Sequence, residues 1–160
     1  MNKIKKLKII SILASFILLS SCGFKPINLE NSKTINFNNI NIKGERRIAY
    51  GLKNNILLIS SNDSKNVHDI DIKIEKDKKS KIKDKTGKIT RYNLSISVNL
   101  ELTKTRDNTK ITKMFIRTSD YDVAKIYSDT LNNENNSVRN ITRQLSDDII
   151  SFVSLTSINK

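Results

Sequence analysis

The sequence predicts an α+β domain of two layers, in which two helices pack on one face of a four-stranded, mostly antiparallel sheet in the order β-α-β-β-β-α. Three observations predict it. Tyr92, Leu94, Ile96, Val98, Leu100 and Leu102 alternate without a break against polar residues, the pattern of a strand with one buried face. Ile48, Leu52, Ile56 and Ile59 recur at three- and four-residue steps, and so do Val138, Ile141, Leu145, Ile149 and Phe152. Two helices with one apolar stripe each can cover the apolar face of such a sheet, which leaves its other face polar.

The chain opens on a cationic head of Lys3, Lys5, Lys6 and Lys8, followed by an apolar run from Ile9 to Leu19 and by Leu19-Ser20-Ser21-Cys22. A charged head, a short apolar stretch and small residues before a cysteine form a lipoprotein signal peptide. The run is well short of the ~20 residues needed to cross a bilayer as a helix, so a permanent membrane anchor fits less well, as does an ordinary secretory signal. The expected organisation is a signal peptide at 1–21, a lipidated tether at 22–33, a single domain at 34–155 and a short tail at 156–160. Cys22 is the only cysteine, which excludes an intramolecular disulfide and a cysteine metal cluster. Acyl chains on Cys22, at ~0.8 kcal/mol per buried methylene, would hold the mature protein on a membrane surface.

Structure is expected to begin near Ile35. Ile35 and Phe37 keep one strand phase and Ile40 and Ile42 the other, which places a bulge at Asn38-Asn39. The first helix spans Arg46 to Ile59, with Gly51 as its weak point, and Ser60 to Ser64 form a turn. Ile70, Ile72 and Ile74 alternate with Asp71, Lys73 and Glu75 in a half-buried strand. The run Asp77 to Lys81 either continues this strand or forms a mobile loop, and Asp84 to Lys88 supply a hairpin turn. The strand at 92–102 would run roughly 35 Å. After a turn at Arg106-Asp107-Asn108 comes a strand at 110–118, where Thr112, Met114 and Ile116 compete with Ile111 and Phe115 for the inner face. The last helix runs from about Leu131 to Val153, its start blurred by Asn132, Asn133, Asn135 and Asn136.

The net charge of +13 falls by four to +9 once the signal is removed. On an exported protein that excess meets anionic headgroups, phosphorylated glycolipids or acidic proteins, and nucleic acid drops out as a partner. Lysine abundance beside asparagine and isoleucine also fits a drifted, solvated surface. The seven arginines are better candidates for phosphate, because the guanidinium fork matches its oxygens. Little points to catalysis. His68, the one histidine, sits beside Asp69 and Asp71 without a serine nucleophile motif, HExxH or second histidine, and is expected as an exposed strand-edge residue. Asp147 and Asp148 are adjacent and so point to different helix faces. No enzyme, cofactor or metal site is expected. An assembly partner of an outer-membrane protein, a carrier of a phosphorylated amphiphile and an unseen hydrolase stay open.

The segments Cys22-Gly23-Phe24-Lys25-Pro26-Ile27, Arg91-Tyr92-Asn93-Leu94, Ser119-Asp120-Tyr121-Asp122 and Tyr127-Ser128, followed by a long C-terminal helix, occur in the order found in one family. The chain resembles the LPS-assembly lipoprotein LptE (RlpB) family, in particular its alphaproteobacterial members. It departs from them at Asn28, where a tyrosine is usual, and at Leu131 to Ser137, where an alanine-rich stretch is usual. The resemblance implies a lipoprotein anchored at Cys22 on the periplasmic side of the outer membrane, which plugs the LptD β-barrel, assists its assembly and takes part in lipopolysaccharide insertion. Gly23 fits outer-membrane delivery on that resemblance. In such a role Arg91, Arg106, Lys110 and Arg117, on or beside the central strands and their hairpin, are expected to meet lipopolysaccharide phosphates. The alternative is a generic envelope lipoprotein that serves as an auxiliary subunit of another lipid-transport complex.

Overall fold

The computed structural model describes residues 35–61, 64 and 66–158. The signal peptide, Cys22, the Gly23-Phe24-Lys25-Pro26 motif and the rest of the tether lie outside the described residues. Six elements follow one another: β1 (Asn36–Lys43), α1 (Arg46–Leu57), β2 (Val67–Lys83), β3 (Ile89–Lys104), β4 (Lys110–Asp122) and α2 (Tyr127–Ile158). The sheet order is β1-β2-β3-β4. β1 pairs parallel with β2, and the other pairs are antiparallel. The expected order β-α-β-β-β-α and the two-layer α+β fold are therefore found.

Alternation decides which face each strand buries. Ile70, Ile72 and Ile74 of β2 and Leu94 to Leu102 of β3 point under the helices, against Ile48, Leu52 and Ile56 of α1 and Val138, Ile141, Leu145, Ile149 and Val153 of α2. The register slips between Phe37 and Asn39, as the change of apolar phase in β1 requires. The charged run at 77–81 is strand and not loop. Asp77 opposes Ser95 and Lys79 opposes Asn93, so the backbone is satisfied by pairing while the charges stay at the surface. In β4, Ile111 and Phe115 take the inner phase, where Phe115 meets the ring of Phe152 edge-on at 5.8 Å. Met114 and Ile116 are left exposed.

α2 begins at Tyr127, four residues before the expected start, because its asparagines have partners that composition does not reveal. Asn133 donates to the Asp122 carbonyl (3.0 Å), and Asn135 accepts from Arg47 (2.5 Å). The helix continues to Ile158, into the stretch expected as tail. No helix among the described residues is long and apolar enough to cross a membrane.

The two helices run in the same direction, since Arg47 meets Asn135 and Asn55 donates to Ser146 (2.8 Å). Gly51 lies where they approach: a Cβ there would sit 3.1 Å from the Thr142 methyl. Buried hydroxyls of Thr142, Ser146 and Ser157 donate to carbonyls four residues back, each at 2.8 Å, so they cost the core little. Gly44 turns β1 into α1 with φ +130°, at a place where a Cβ would run into Ile74 of β2.

This topology gives the domain two distinct ends. The start of β1 and β2, the β3–β4 turn and the end of α2 share one, the termini end. The β2–β3 turn and the start of α2 share the far end, while the shorter β1 turns into α1 opposite the middle of β2.

Candidate interaction surface

The sheet face turned away from the helices is open. β3 contributes Asn93, Ser95, Ser97, Asn99 and Glu101 to it, and β2 contributes Asp71, Lys73 and Glu75. Sheet twist hollows the middle of this face into a shallow groove of about 590 Å³, bordered by Asn41, Asp71, Lys73, Asn99, Glu101 and Met114. Met114 and Ile116 are exposed apolar side chains on this largely polar surface.

The four cations singled out from sequence are not gathered in one place. Arg91 is at the far end, its Nε 2.6 Å from Asp122, and Lys110 is at the termini end, its Nζ 2.6 Å from Glu101. Twelve residues of β3 separate their pairing positions, Arg91 and Thr103, or roughly 40 Å, so no single phosphate reaches both. In each pair the hydrogen-bonded carboxylate holds the cation more firmly protonated. Arg117 is not on a central strand. β4 is the sheet edge, and Arg117 turns to the helix side, where Nε and Nη2 both reach Asp148 of α2 at 2.7 Å. Arg106, exposed in the β3–β4 turn, makes no ion pair among the described residues. Lys83, Lys85 and Lys88 at the far-end hairpin are likewise unpaired there. That turn is fixed by Asp84, whose Oδ1 accepts from the backbone of Thr86 (2.8 Å) and Lys88 (3.0 Å).

Sequence reasoning missed a half-buried charge cluster near the far end. Lys76 and Lys78 continue the inward phase of Ile74, and both donate to Glu134 of α2, at 3.0 and 2.7 Å. The Tyr121 hydroxyl donates to the same carboxylate at 2.9 Å. Tyr121 stacks on Tyr92, with ring centroids 5.5 Å apart, and the Lys78 ammonium lies 4.4 Å from the centre of the Tyr92 ring. Burial alone would raise the Glu134 pKa, but the hydrogen bonds from Lys78, Lys76 and Tyr121 bring it down to about 2. The signal was available in the two lysines that extend an apolar phase and need an acid opposite.

His68 is the clear correction. It was expected as an exposed strand-edge residue, yet it is only 3% exposed, because its phase in β2 is that of Ile70 and the end of α2 covers it. Nδ1 faces the Asn66 carbonyl at 3.2 Å and must donate, while Nε2 has no partner among the described residues. Burial lowers its pKa below the ordinary 6.5, and Lys104 adds to this. The unfolded chain therefore takes up the proton first. Stability is full above about pH 6.5 and is expected to decline as pH falls from there towards the lowered folded value. Thermal melts from pH 7.5 to 5 should show this decline in the natural chain and a flatter profile in His68→Gln.

No group of three or more metal-ligating side chains occurs among the described residues. No family model and no curated protein matches the sequence. Solved structures do match the fold. Rare lipoprotein B from Shewanella oneidensis superposes with a TM-score of 0.60 at 14% identity, over 76% of this chain and 98% of its own. Uncharacterized lipoprotein B from Nitrosomonas europaea gives 0.57 at 16%, over 85% and 94%. A candidate lipoprotein from Caulobacter crescentus CB15 gives 0.54 at 12%, over 82% and 96%. The chain has the fold of these proteins, which is the fold the LptE resemblance implied.

Proposed function

We propose that the chain is an LptE-type lipoprotein, anchored through Cys22 at the periplasmic face of the outer membrane, that plugs and helps assemble an LptD-type β-barrel and takes part in lipopolysaccharide insertion. The observation that carries this is the fold shared with rare lipoprotein B over nearly all of that protein's length. The sequence motifs and the lipobox point the same way. The open sheet face suits a plug, because it is polar, uncovered and laced with paired charges, and the lumen of a large outer-membrane barrel is polar too. The exposed cations at the two ends, Arg91 with the lysine-rich turn and Arg106 with Lys110, are positioned for phosphate groups of the glycolipid through charge-assisted hydrogen bonds.

Purification of the lipidated protein from detergent-solubilised envelopes tests the reading. A single very large β-barrel should co-purify at one-to-one stoichiometry, and its absence from preparations with lipidated Cys22 would overturn the assignment. Arg91→Ala combined with Arg106→Ala should weaken lipopolysaccharide binding several-fold at matched ionic strength. The melting temperature should hardly move, since exposed ion pairs contribute little to stability. Unchanged lipopolysaccharide binding would remove these two residues from the contact.

A further inference from the structure

A cavity of about 440 Å³ opens at the termini end, remote from the groove on the open face, and its wall includes Asn66, His68, Lys104, Arg106, Asp107 and Ser157. We propose that it binds a hydroxylated phosphate ester, a polyol phosphate of the glycerol phosphate type. Lys104 and Arg106 take the phosphate, and His68 Nε2 accepts a hydrogen bond from a ligand hydroxyl.

The donor and acceptor inventory leads to that ligand class. A carbonyl oxygen can only accept, so the contact with Asn66 places the imidazole proton on Nδ1 and leaves Nε2 a bare lone pair. That lone pair has no donor among the described residues, in an interior where nearly every buried polar atom has one. The nearby hydroxyl of Ser157 is committed to the Val153 carbonyl. Lys104 and Arg106 make no ion pair among the described residues, unlike Arg91, Lys110 and Arg117. Asp107, the one carboxylate on the wall, accepts from the Thr109 backbone at 3.0 Å within its own turn. The cavity therefore offers two cations, one neutral acceptor and a carboxylate, Asp107, that is held within its own turn and offsets part of the Lys104 charge. A fully deprotonated inorganic anion such as sulfate would neutralise the cations but present only acceptor oxygens to the Nε2 lone pair. An ester that carries both a phosphate and a hydroxyl satisfies the two cations and the neutral acceptor. Nε2 is closed off from water, so a side chain on the wall must give way for the ligand hydroxyl to reach it.

The same chemistry occurs in soluble polyol phosphates and in the phosphatidylglycerol headgroup. The chain has a single histidine, so one set of imidazole nitrogen signals reports on the site. The experiment is 15N NMR of the full mature chain in non-ionic detergent, titrated with glycerol 3-phosphate and, separately, with inorganic sulfate. Glycerol 3-phosphate should shift the Nε2 resonance towards a hydrogen-bonded acceptor without moving the proton from Nδ1. Sulfate should bind more weakly and leave the Nε2 resonance in place. The double variant Lys104→Gln with Arg106→Gln should lose roughly tenfold or more in affinity, with a melting curve recorded alongside to show that it is folded. Nanodiscs containing phosphatidylglycerol, compared with phosphatidylcholine alone, separate the sources: a shift from the lipid but not from the soluble ester assigns the site to a headgroup, and the reverse to a metabolite. No Nε2 shift from either source, an equal response to sulfate, or unchanged affinity in the double variant would overturn the proposal. None of these readouts depends on the barrel or on lipopolysaccharide.

Discussion

Gly44→Ala is expected to leave little folded protein. A Cβ at this position would lie 2.5 Å from the Ile74 carbonyl oxygen and 2.8 Å from its Cβ, and the backbone there has φ +130°, a region side chains rarely adopt. Neither conflict can relax locally. Ile74 is 5% exposed, its backbone is paired with Val98 in the centre of the sheet, and Gly44 is the link that brings α1 back over that sheet. Strain of about 1–3 kcal/mol for the dihedral and about 1–3 kcal/mol for the overlap add to a large part of a typical domain stability of about 5–15 kcal/mol. Circular dichroism melts and urea titration should show a greatly lowered midpoint or no cooperative transition. A variant that melts like the natural chain would mean that the β1–α1 turn is not held as described.

Glu134→Gln should produce the next largest loss, and a characteristic pH signature. Glu134 is the common acceptor for Lys76, Lys78 and Tyr121, and its side chain is 18% exposed. The amide would leave two partly covered ammonium groups facing a neutral partner, a cost of about 2 kcal/mol once partial exposure is set against the 3–5 kcal/mol of a fully buried pair. In the natural chain the carboxyl titrates at about 2 when folded against an ordinary 4.5. The unfolded state therefore binds the proton first as pH falls. The stabilisation is complete above about pH 4.5 and is lost progressively towards pH 2. Glu134→Gln should lack that part of the acid dependence. Pairing it with Lys78→Met in a double-mutant cycle should recover part of the loss, because the unpaired charge goes with the lysine. Equal melting temperatures for the natural chain and Glu134→Gln at pH 7 would show that the cluster carries no net stability.

Apolar periodicity made most of the architecture legible. The unbroken alternation at 92–102 and the stripes at 48–56 and 138–149 specify which faces meet, and the phase change between Phe37 and Ile40 located the bulge. Periodicity failed where polar residues hold core-facing positions. Lys76 and Lys78 sit in the same phase as Ile74, but lysine is normally a surface residue, and only the position of Glu134 on another element makes their inward direction affordable. His68 was misplaced for a similar reason: one histidine between charged neighbours looks exposed until the helix that covers it is known. The asparagines near 131–136 looked like a poor helix start, since their side-chain bonds to Asp122 and Arg47 are tertiary contacts. The open face could be anticipated from the polar half of each alternation. The scattering of Arg91, Arg106, Lys110 and Arg117 could not, because it depends on strand order, which pushed β4 to the edge.

The parallel pairing of β1 with β2 also constrains the order of events as the chain leaves the ribosome or crosses a membrane N-terminus first. β1 and α1 emerge before the strand they need, and the nearest pairing of β1 is with residues some thirty positions later. β2, β3 and β4, by contrast, are joined by two tight turns and zip together locally, which favours their early formation. The first elements to appear are thus the last to be seated. Until β2 is available, the apolar stripes of β1 and α1 have nothing to cover them, and the waiting time of that segment, more than the final stability of the fold, sets its exposure to aggregation and to holding chaperones.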